Sequence, residues 1–352
     1  MRNVYVVADN IYSPLGRNTR ANIEALKQGR SGIQIHTGNL SPDPFYASLF
    51  DPTIKIEDES KTLFEQIVLA SALDAMQKAD IQPANKKTGF ILSSTKGNIN
   101  LIENIKGEPY PEKRIALHTS ASVVARELGF NSEPLVVSHA CISGLLAMIT
   151  GMRLIQSGLY DSLVITGADL ITSFIYSGFR SFQAISQNPC KPFDAARDGI
   201  SLGEAAATVV LSANGCPGAT LLAGGSVSND ANHISGPSRT GEELWLAIRR
   251  SLEQSGTDAK EIDFISAHGT ATRYNDEMEA KAIHLASMEK IPLNSLKGYY
   301  GHTLGAAGIL ESIVTIHSMK ENIIFPTLGF STPGTELPVN VVKEISKSNV
   351  SR

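Results

Sequence analysis

Apolar and polar positions alternate along this chain with two different periods. Short apolar runs read as strands: Val4-Tyr5-Val6-Val7, Gly89-Phe90-Ile91-Leu92-Ser93, Leu135 to Val137, Ser162-Leu163-Val164-Ile165-Thr166 and Ala205 to Leu211. Between them lie longer stretches with helical spacing, Leu63 to Lys78, Ser120 to Leu128 and Gly144 to Ser157. After the turn-rich Asn214-Gly215-Cys216-Pro217-Gly218 the theme returns, with a strand near Leu221, a helix from Glu242 to Gln254, a strand at Phe264 and the helical run Ile309 to Met319. The alternation predicts an α/β protein whose sheets carry helices on both faces, organised as residues 1–213 and 214–352. Periodicity alone does not separate two stacked halves from one doubly wound sheet.

Composition narrows the class. At 352 residues, 42% apolar and 19% charged, the chain has length for a large core and none of the bias of disordered or fibrous proteins. A net charge of −4 offers no nucleic-acid footprint. The run from Met1 to Asp9 is too short for a secretory signal, and no stretch reaches membrane-spanning length, so a cytoplasmic protein with no membrane partner is expected. Three cysteines at unrelated spacings, Cys141, Cys190 and Cys216, predict free thiols rather than a disulfide framework.

One of those thiols stands where a nucleophile would. In Val136-Val137-Ser138-His139-Ala140-Cys141-Ile142-Ser143-Gly144 an apolar strand stops at Cys141 and a helix follows at once. The N–H groups and dipole of a helix start favour thiolate and can hold an oxyanion on the same sulfur, while Ala140, Ser143 and Gly144 are expected to leave room for substrate. Two histidines in glycine-rich turns lie downstream, His268 in His268-Gly269-Thr270-Ala271-Thr272 and His302 in Gly301-His302-Thr303-Leu304-Gly305-Ala306-Ala307-Gly308. Each alone reads as a structural hydrogen-bonder; together with a cysteine they read as a site. A zinc site from the same three residues is the rival reading, and no Cys-x-x-Cys or His-x-x-x-His spacing supports it, so no metal is expected.

At these motifs the chain resembles the β-ketoacyl-acyl carrier protein synthases, the condensing enzymes of fatty-acid and polyketide synthesis. Lys297 five residues before His302, Glu311 nine after it, Pro192-Phe193-Asp194-Ala195-Ala196-Arg197-Asp198-Gly199 with Gly203-Glu204, and Asp230-Ala231-Asn232-His233-Ile234 extend the likeness from about Val4 to about Val341. The resemblance implies a thiolase-like fold, two similar αβα halves in a five-layered αβαβα core, with the cysteine in 1–213 and both histidines in 214–352.

The resemblance also implies an activity, an acyltransferase that joins an enzyme-bound acyl group to malonyl-acyl carrier protein by decarboxylative Claisen condensation. Cys141 would carry the acyl group, and His268 and His302 would hold the malonyl thioester oxygen as carbon dioxide leaves, one of them also activating Cys141. Lys297 and Glu311, if inside rather than on a solvated face, would set the tautomer of His302. Thr270 and Thr272 would meet the phosphopantetheine arm of acyl carrier protein, where the plain alternative is turn capping. Asp276 and Glu279 would support the His268 loop, Asp194, Arg197, Asp198 and Glu204 are expected to be structural, and Cys190 and Cys216 to do no chemistry. The implied partners are acyl carrier protein and a second ketosynthase-like subunit, identical or related, with no cofactor beyond the substrates' arm.

Two other classes share the fold. A non-catalytic chain-length partner of a ketosynthase is opposed by the presence of Cys141, and a coenzyme A-dependent starter synthase or thiolase by His302. Three departures qualify the likeness. The Gly-Phe-Gly-Gly turn of similar synthases, which supplies a second oxyanion amide, is not found through Arg352, so either the sequence is truncated or another amide must serve, and without one condensation is expected to be weak. Ala205 to Ala207 replace a Gly-Ala-Gly, and the chain is short for an elongating synthase.

Overall fold

The computed structural model describes residues 2–38, 40–51, 53, 58, 60–103, 112–231 and 236–352. Its first half is built on β1 (Tyr5–Tyr12), α1 (Thr19–Lys27), β2 (Gln34–Gly38), β3 (Ser41–Ser48), α2 (Leu63–Lys78) and β4 (Thr88–Ser93). The chain continues through α3 (Glu112–Ile115), α4 (Leu117–Glu127), β5 (Leu135–Val137), α5 (Ser143–Gln156), β6 (Ser162–Asp169), α6 (Ser173–Ser181), β7 (Leu202–Gly203), β8 (Ala205–Ser212) and β9 (Thr220–Leu221). Six strands form one sheet in the order β5-β4-β6-β8-β1-β9, parallel through β5, β4 and β6 and antiparallel where β8 joins β6 and β1. Every residue of β4 and β8 is buried, which is why these strands read as unbroken apolar runs instead of alternating. The alanines at 205–207 lie within this buried strand.

Each face of the sheet is sealed by helices. Phe64, Ile67, Val68 and Ala72 of α2 and Val124 of α4 pack with Phe90, Val164 and Val210 on one side. The start of α2 is set by a capping box in which Thr62 and Glu65 satisfy each other's backbone N–H groups. On the other side Ala147, Met152 and Ile155 of α5 meet Ile165 and Leu211, and Ile309, Leu310 and Ile313 come from the second half. That second half comprises α7 (Glu242–Ser255), β10 (Ile265–Ser266), α8 (Arg273–Leu285), β11 (Leu293–Asn294), α9 (Lys297–Tyr300), α10 (Ala307–Glu321), β12 (Ile323–Ile324) and β13 (Ser346–Lys347). Helix α10 shares the buried layer with α5, so the two halves meet along these helices.

The halves are unequal. In the second, β10 and β11 form a two-stranded parallel pair extended by a bridge from Leu293 to Val341, and β12 pairs with β13. The segment 222–231 carries no strand; the Gly225 N–H donates to the Gln254 side chain instead of to a neighbouring strand. No helix among the described residues is long and apolar enough to cross a membrane.

Candidate active site

Cys141 lies between β5 and α5. Ala140 adopts a left-handed conformation, φ 46°, which an alanine takes only when its surroundings impose it. Ser143 supplies the constraint: its hydroxyl accepts from the His139 N–H at 2.7 Å and donates to the Ala140 carbonyl at 2.6 Å. The turn thereby holds Cys141 one residue ahead of the helix cap. Ser143 and Gly144 serve packing rather than substrate room, a correction to the sequence reading, whereas Ala140 is exposed. Ser143 is fully buried, and a Cβ on Gly144 would lie 3.0 Å from the Ile309 nitrogen and 3.1 Å from the Gly305 oxygen, so Gly144 lets α10 and the His302 loop approach α5.

His302 is fixed through its backbone and its ring. Its N–H donates to the Ser201 carbonyl at 2.8 Å, and its own carbonyl accepts from Gly203 at 3.0 Å. Only glycine fits at 203, where a Cβ would fall 1.8 Å from the Tyr300 oxygen. The Leu304 N–H donates to His302 Nδ1 at 3.0 Å. A ring nitrogen that accepts from an amide carries no proton in the neutral imidazole, so the proton is on Nε2, which lies 3.0 Å from the sulfur of Cys141. Residues 161 positions apart in sequence meet here.

His268 completes the cluster. It follows β10, and both its N–H and that of Gly269 donate to the carboxylate of Glu279, at 2.8 and 2.6 Å, while Ser295 donates to the Gly269 carbonyl at 2.8 Å. The two imidazoles meet edge to face with centroids 5.0 Å apart. The ligand-type atoms of Cys141, His268 and His302 all lie within 4.8 Å of one another.

The electrostatics differ from the sequence expectation at the sulfur. Burial pushes the Cys141 thiol above its ordinary range and outweighs the opposing pull of the Lys297 ammonium. The helix start therefore does not make a resting thiolate, because the protein around the sulfur withholds the water that would solvate the anion. Burial drives both imidazoles well below the usual histidine range, and the Lys297 charge adds to this, so each is neutral near pH 7. Lys297 is 1% exposed and paired with Glu311, not on a solvated face.

The remaining predicted residues divide by position. Thr270 and Thr272 have their hydroxyls 2.9 Å apart, and Thr270 also accepts from the Thr272 N–H, a local turn contact. Asp276 accepts from the N–H groups of Phe193 and Ala271, and burial raises it to about 6; burial also raises Glu279 to about 7. Asp194 collects the Ser331 and Thr332 N–H groups, and Arg197 donates to the Gly334 carbonyl. Asp198 takes the Ser186 hydroxyl, and Glu204 bridges the N–H groups of Phe50 and Ile171, so all four tie loops together. Cys190 is buried, its thiol donating to the Lys297 carbonyl, and Cys216 is exposed. Of the segment 230–234, Asn232, His233 and Ile234 lie outside the described residues.

Sequence reasoning missed Asp169. This fully buried carboxylate at the end of β6 accepts from Ser94, Thr95, Lys96 and Gly305, two residues beyond Thr303 in the His302 loop. An acid closing the otherwise apolar run from Leu163 was the available signal.

Known proteins resemble this chain across nearly its whole length. Residues 1–214 match the family model of the beta-ketoacyl synthase N-terminal domain, and residues 219–331 that of its C-terminal domain. A 3-oxoacyl-[acyl-carrier-protein] synthase 2 of Vibrio cholerae is 28% identical over 386 aligned positions, covering 98% of this chain and 93% of that protein. Among solved structures, the ketosynthase ApeO with its chain length factor ApeC from Xenorhabdus doucetiae superposes with a TM-score of 0.88 at 26% identity, over 98% of this chain and 92% of that one. The ishigamide ketosynthase/chain length factor gives a TM-score of 0.88 at 27% identity, over 99% and 94%. With both domain models matched in order and the fold reproduced end to end, this chain belongs to the beta-ketoacyl synthase family of condensing enzymes.

Proposed function

We propose that the protein is an acyltransferase that condenses an acyl group held on Cys141 with a malonyl group delivered on acyl carrier protein. In the first step the Cys141 sulfur attacks an acyl-phosphopantetheine thioester. The carrier's thiol leaves with the proton that Cys141 gave up, and one thioester replaces another at nearly equal free energy. In the second, the malonyl thioester binds with its carbonyl oxygen against the imidazole N–H groups. The bond to the carboxyl carbon breaks, carbon dioxide departs, and its electron pair becomes an enolate. The enolate carbon attacks the acyl carbonyl on Cys141, the backbone N–H of Cys141 faces the resulting oxyanion, and collapse expels the sulfur and releases a 3-oxoacyl thioester.

The observation that carries this reading is the convergence of one sulfur and two neutral imidazoles within 4.8 Å, one imidazole with its Nε2 proton directed at the sulfur. That proton weighs against the zinc alternative. A metal needs the Nε2 lone pair, and supplying it would put an Nδ1 proton against the Leu304 N–H, so the site is read as working without a resident metal. Thr270 and Thr272 are assigned to the phosphopantetheine arm. Acyl carrier protein as the donor accords with the activity named for the Vibrio cholerae relative. Pairing with a second ketosynthase-like subunit accords with the chain length factors of the ApeO and ishigamide complexes, and with the open edge strand β5 and the exposed Leu135 and Leu145. The substrates belong to fatty-acid or polyketide and polyene synthesis.

Intact-mass spectrometry after incubation with acyl-acyl carrier protein tests the assignment. The wild type gains one acyl mass and Cys141→Ala gains none while remaining folded. A folded wild type that never gains the mass would instead support the non-catalytic partner reading.

A further inference from the structure

We infer that Asp169 is a positioning residue for His302: by gripping the Gly305 amide it holds the Leu304 N–H on Nδ1, and so keeps the Nε2 proton aimed at Cys141. The inference rests on the reading of His302 as the donor of the reaction.

The contact chain is continuous. One carboxylate oxygen of Asp169 accepts from the Gly305 N–H at 2.8 Å and from Thr95 at 2.9 Å; the other accepts from Ser94 at 2.8 Å and Lys96 at 3.1 Å. The far side of Gly305 is held as well, its carbonyl accepting from Ser93 at 2.9 Å. Both polar groups of this residue are thus bound by side chains at the ends of β4 and β6, elements of the opposite half of the molecule. Between Gly305 and His302 stands Leu304, with φ 50°. A leucine in the left-handed region costs on the order of 1 kcal/mol and relaxes unless its neighbours over-determine it. Clamping the next peptide does so, and the Leu304 N–H then has Nδ1 of His302 as its acceptor at 3.0 Å. Steric fit supports the same account: a Cβ on Gly305 would lie 2.8 Å from the Asp169 oxygen and 2.8 Å from Ser94 Cα.

A hydrogen bond accepted by Nδ1 exists only while the imidazole is neutral, so the Leu304 contact opposes protonation of His302. The ionisable groups around the ring are Cys141 ahead of α5, His268 after β10 and Lys297 on α9, with Glu311 of α10 paired to that lysine and Asp169 behind Gly305. Lys297 and burial already hold His302 neutral. What Asp169 adds is direction, choosing which nitrogen bears the proton and where it points.

The test is nitrogen-15 NMR of histidine-labelled full-length protein titrated from pH 5 to 9, with His302 assigned by His302→Gln. Wild type is expected to show a neutral ring with a hydrogen-bonded, unprotonated Nδ1 from neutral pH upward. In Asp169→Ala the Nδ1 signal moves to that of a free or protonated nitrogen, and the proton affinity of the ring rises by about tenfold or more. Malonyl decarboxylation falls by about 100-fold, the cost of misplacing a reacting group by roughly 1 Å. Ser94→Ala, which removes one Asp169 contact and spares Gly305, keeps the wild-type His302 spectrum. Should Asp169→Ala fail to fold, Gly305→Ala displaces the same peptide with Asp169 in place and gives the same spectral change. A folded Asp169→Ala with unaltered His302 signals and titration overturns the inference whatever its melting temperature. A wild type with the predicted spectrum but no decarboxylase activity overturns the proposed function and leaves the role of Asp169 in the tautomer standing.

Discussion

Removing the His302 ring separates the two halves of the proposed chemistry. In His302→Ala the enolate oxygen loses one of its two imidazole donors, and deleting a well-placed donor of this kind costs about 10²–10³ in rate, roughly 2.7–4 kcal/mol of transition-state stabilisation. The loss should fall on decarboxylation. Acyl transfer to Cys141 needs the sulfur and the helix-start amides, which the variant keeps; Ser143 locks that turn without help from His302. Stability falls too, because the Leu304 N–H loses its acceptor in a buried place, at about 1–3 kcal/mol. A drop of a few degrees in Tm is therefore expected in a protein that still folds. The assay is release of labelled carbon dioxide from carboxyl-labelled malonyl-acyl carrier protein, run beside intact-mass measurement of acyl transfer. Decarboxylation within about threefold of wild type in a folded, acylated variant would refute the assignment of His302 as an oxyanion donor.

Further outcomes follow from the buried charges. Lys297→Met strips the partner from Glu311 and is expected to cost about 3–5 kcal/mol in urea unfolding. Adding Glu311→Gln recovers much of that stability, yet the iodoacetamide rate of Cys141 keeps a midpoint shifted to higher pH, because Lys297 pulls the thiol down more than Glu311 pushes it up; an unshifted midpoint contradicts the electrostatic reading. Glu204 and Glu279 are both raised by burial to about 7 from 4.5. The sign follows: a carboxyl that binds its proton more tightly when folded adds stability that is complete below pH 4.5 and is lost as pH rises through about 7. The urea midpoint should therefore decline between pH 5 and 8 from these groups, and Glu279→Gln should flatten the decline; a midpoint that rises over this window contradicts it.

Much of the first half was legible because its central strands, β4 and β8, are buried along their whole length. The apolar run Leu135 to Val137 ends where β5 ends, and Leu63 to Lys78 is the observed α2, its start marked by Thr62 and Glu65. The second half was harder to read, since β10, β11, β12 and β13 are two residues each, too short for any period to register. Cys141, His268 and His302 were visible as motifs, but their meeting depends on contacts between the halves that no local pattern encodes. The sequence also misled in two places. A helix start argued for a thiolate, whereas desolvation dominates at Cys141. The glycine at 144 argued for substrate room, whereas the space is occupied by Ile309 and Gly305. Asp169 escaped notice because its partners are mostly backbone amides, which leave no mark in a sequence.

In the proposed reaction one pocket first stores an acyl group on Cys141 and then joins it to a decarboxylated malonyl unit. A single-turnover experiment addresses it directly: isolate the acylated protein, add one equivalent of malonyl-acyl carrier protein, and follow protein and carrier by mass. The acyl mass is expected to leave Cys141 and reappear on the carrier as a 3-oxoacyl chain two carbons longer, with one carbon dioxide released per transfer. An acyl mass that remains on Cys141, or that leaves only as free acid while malonyl-carrier stays intact, would contradict it.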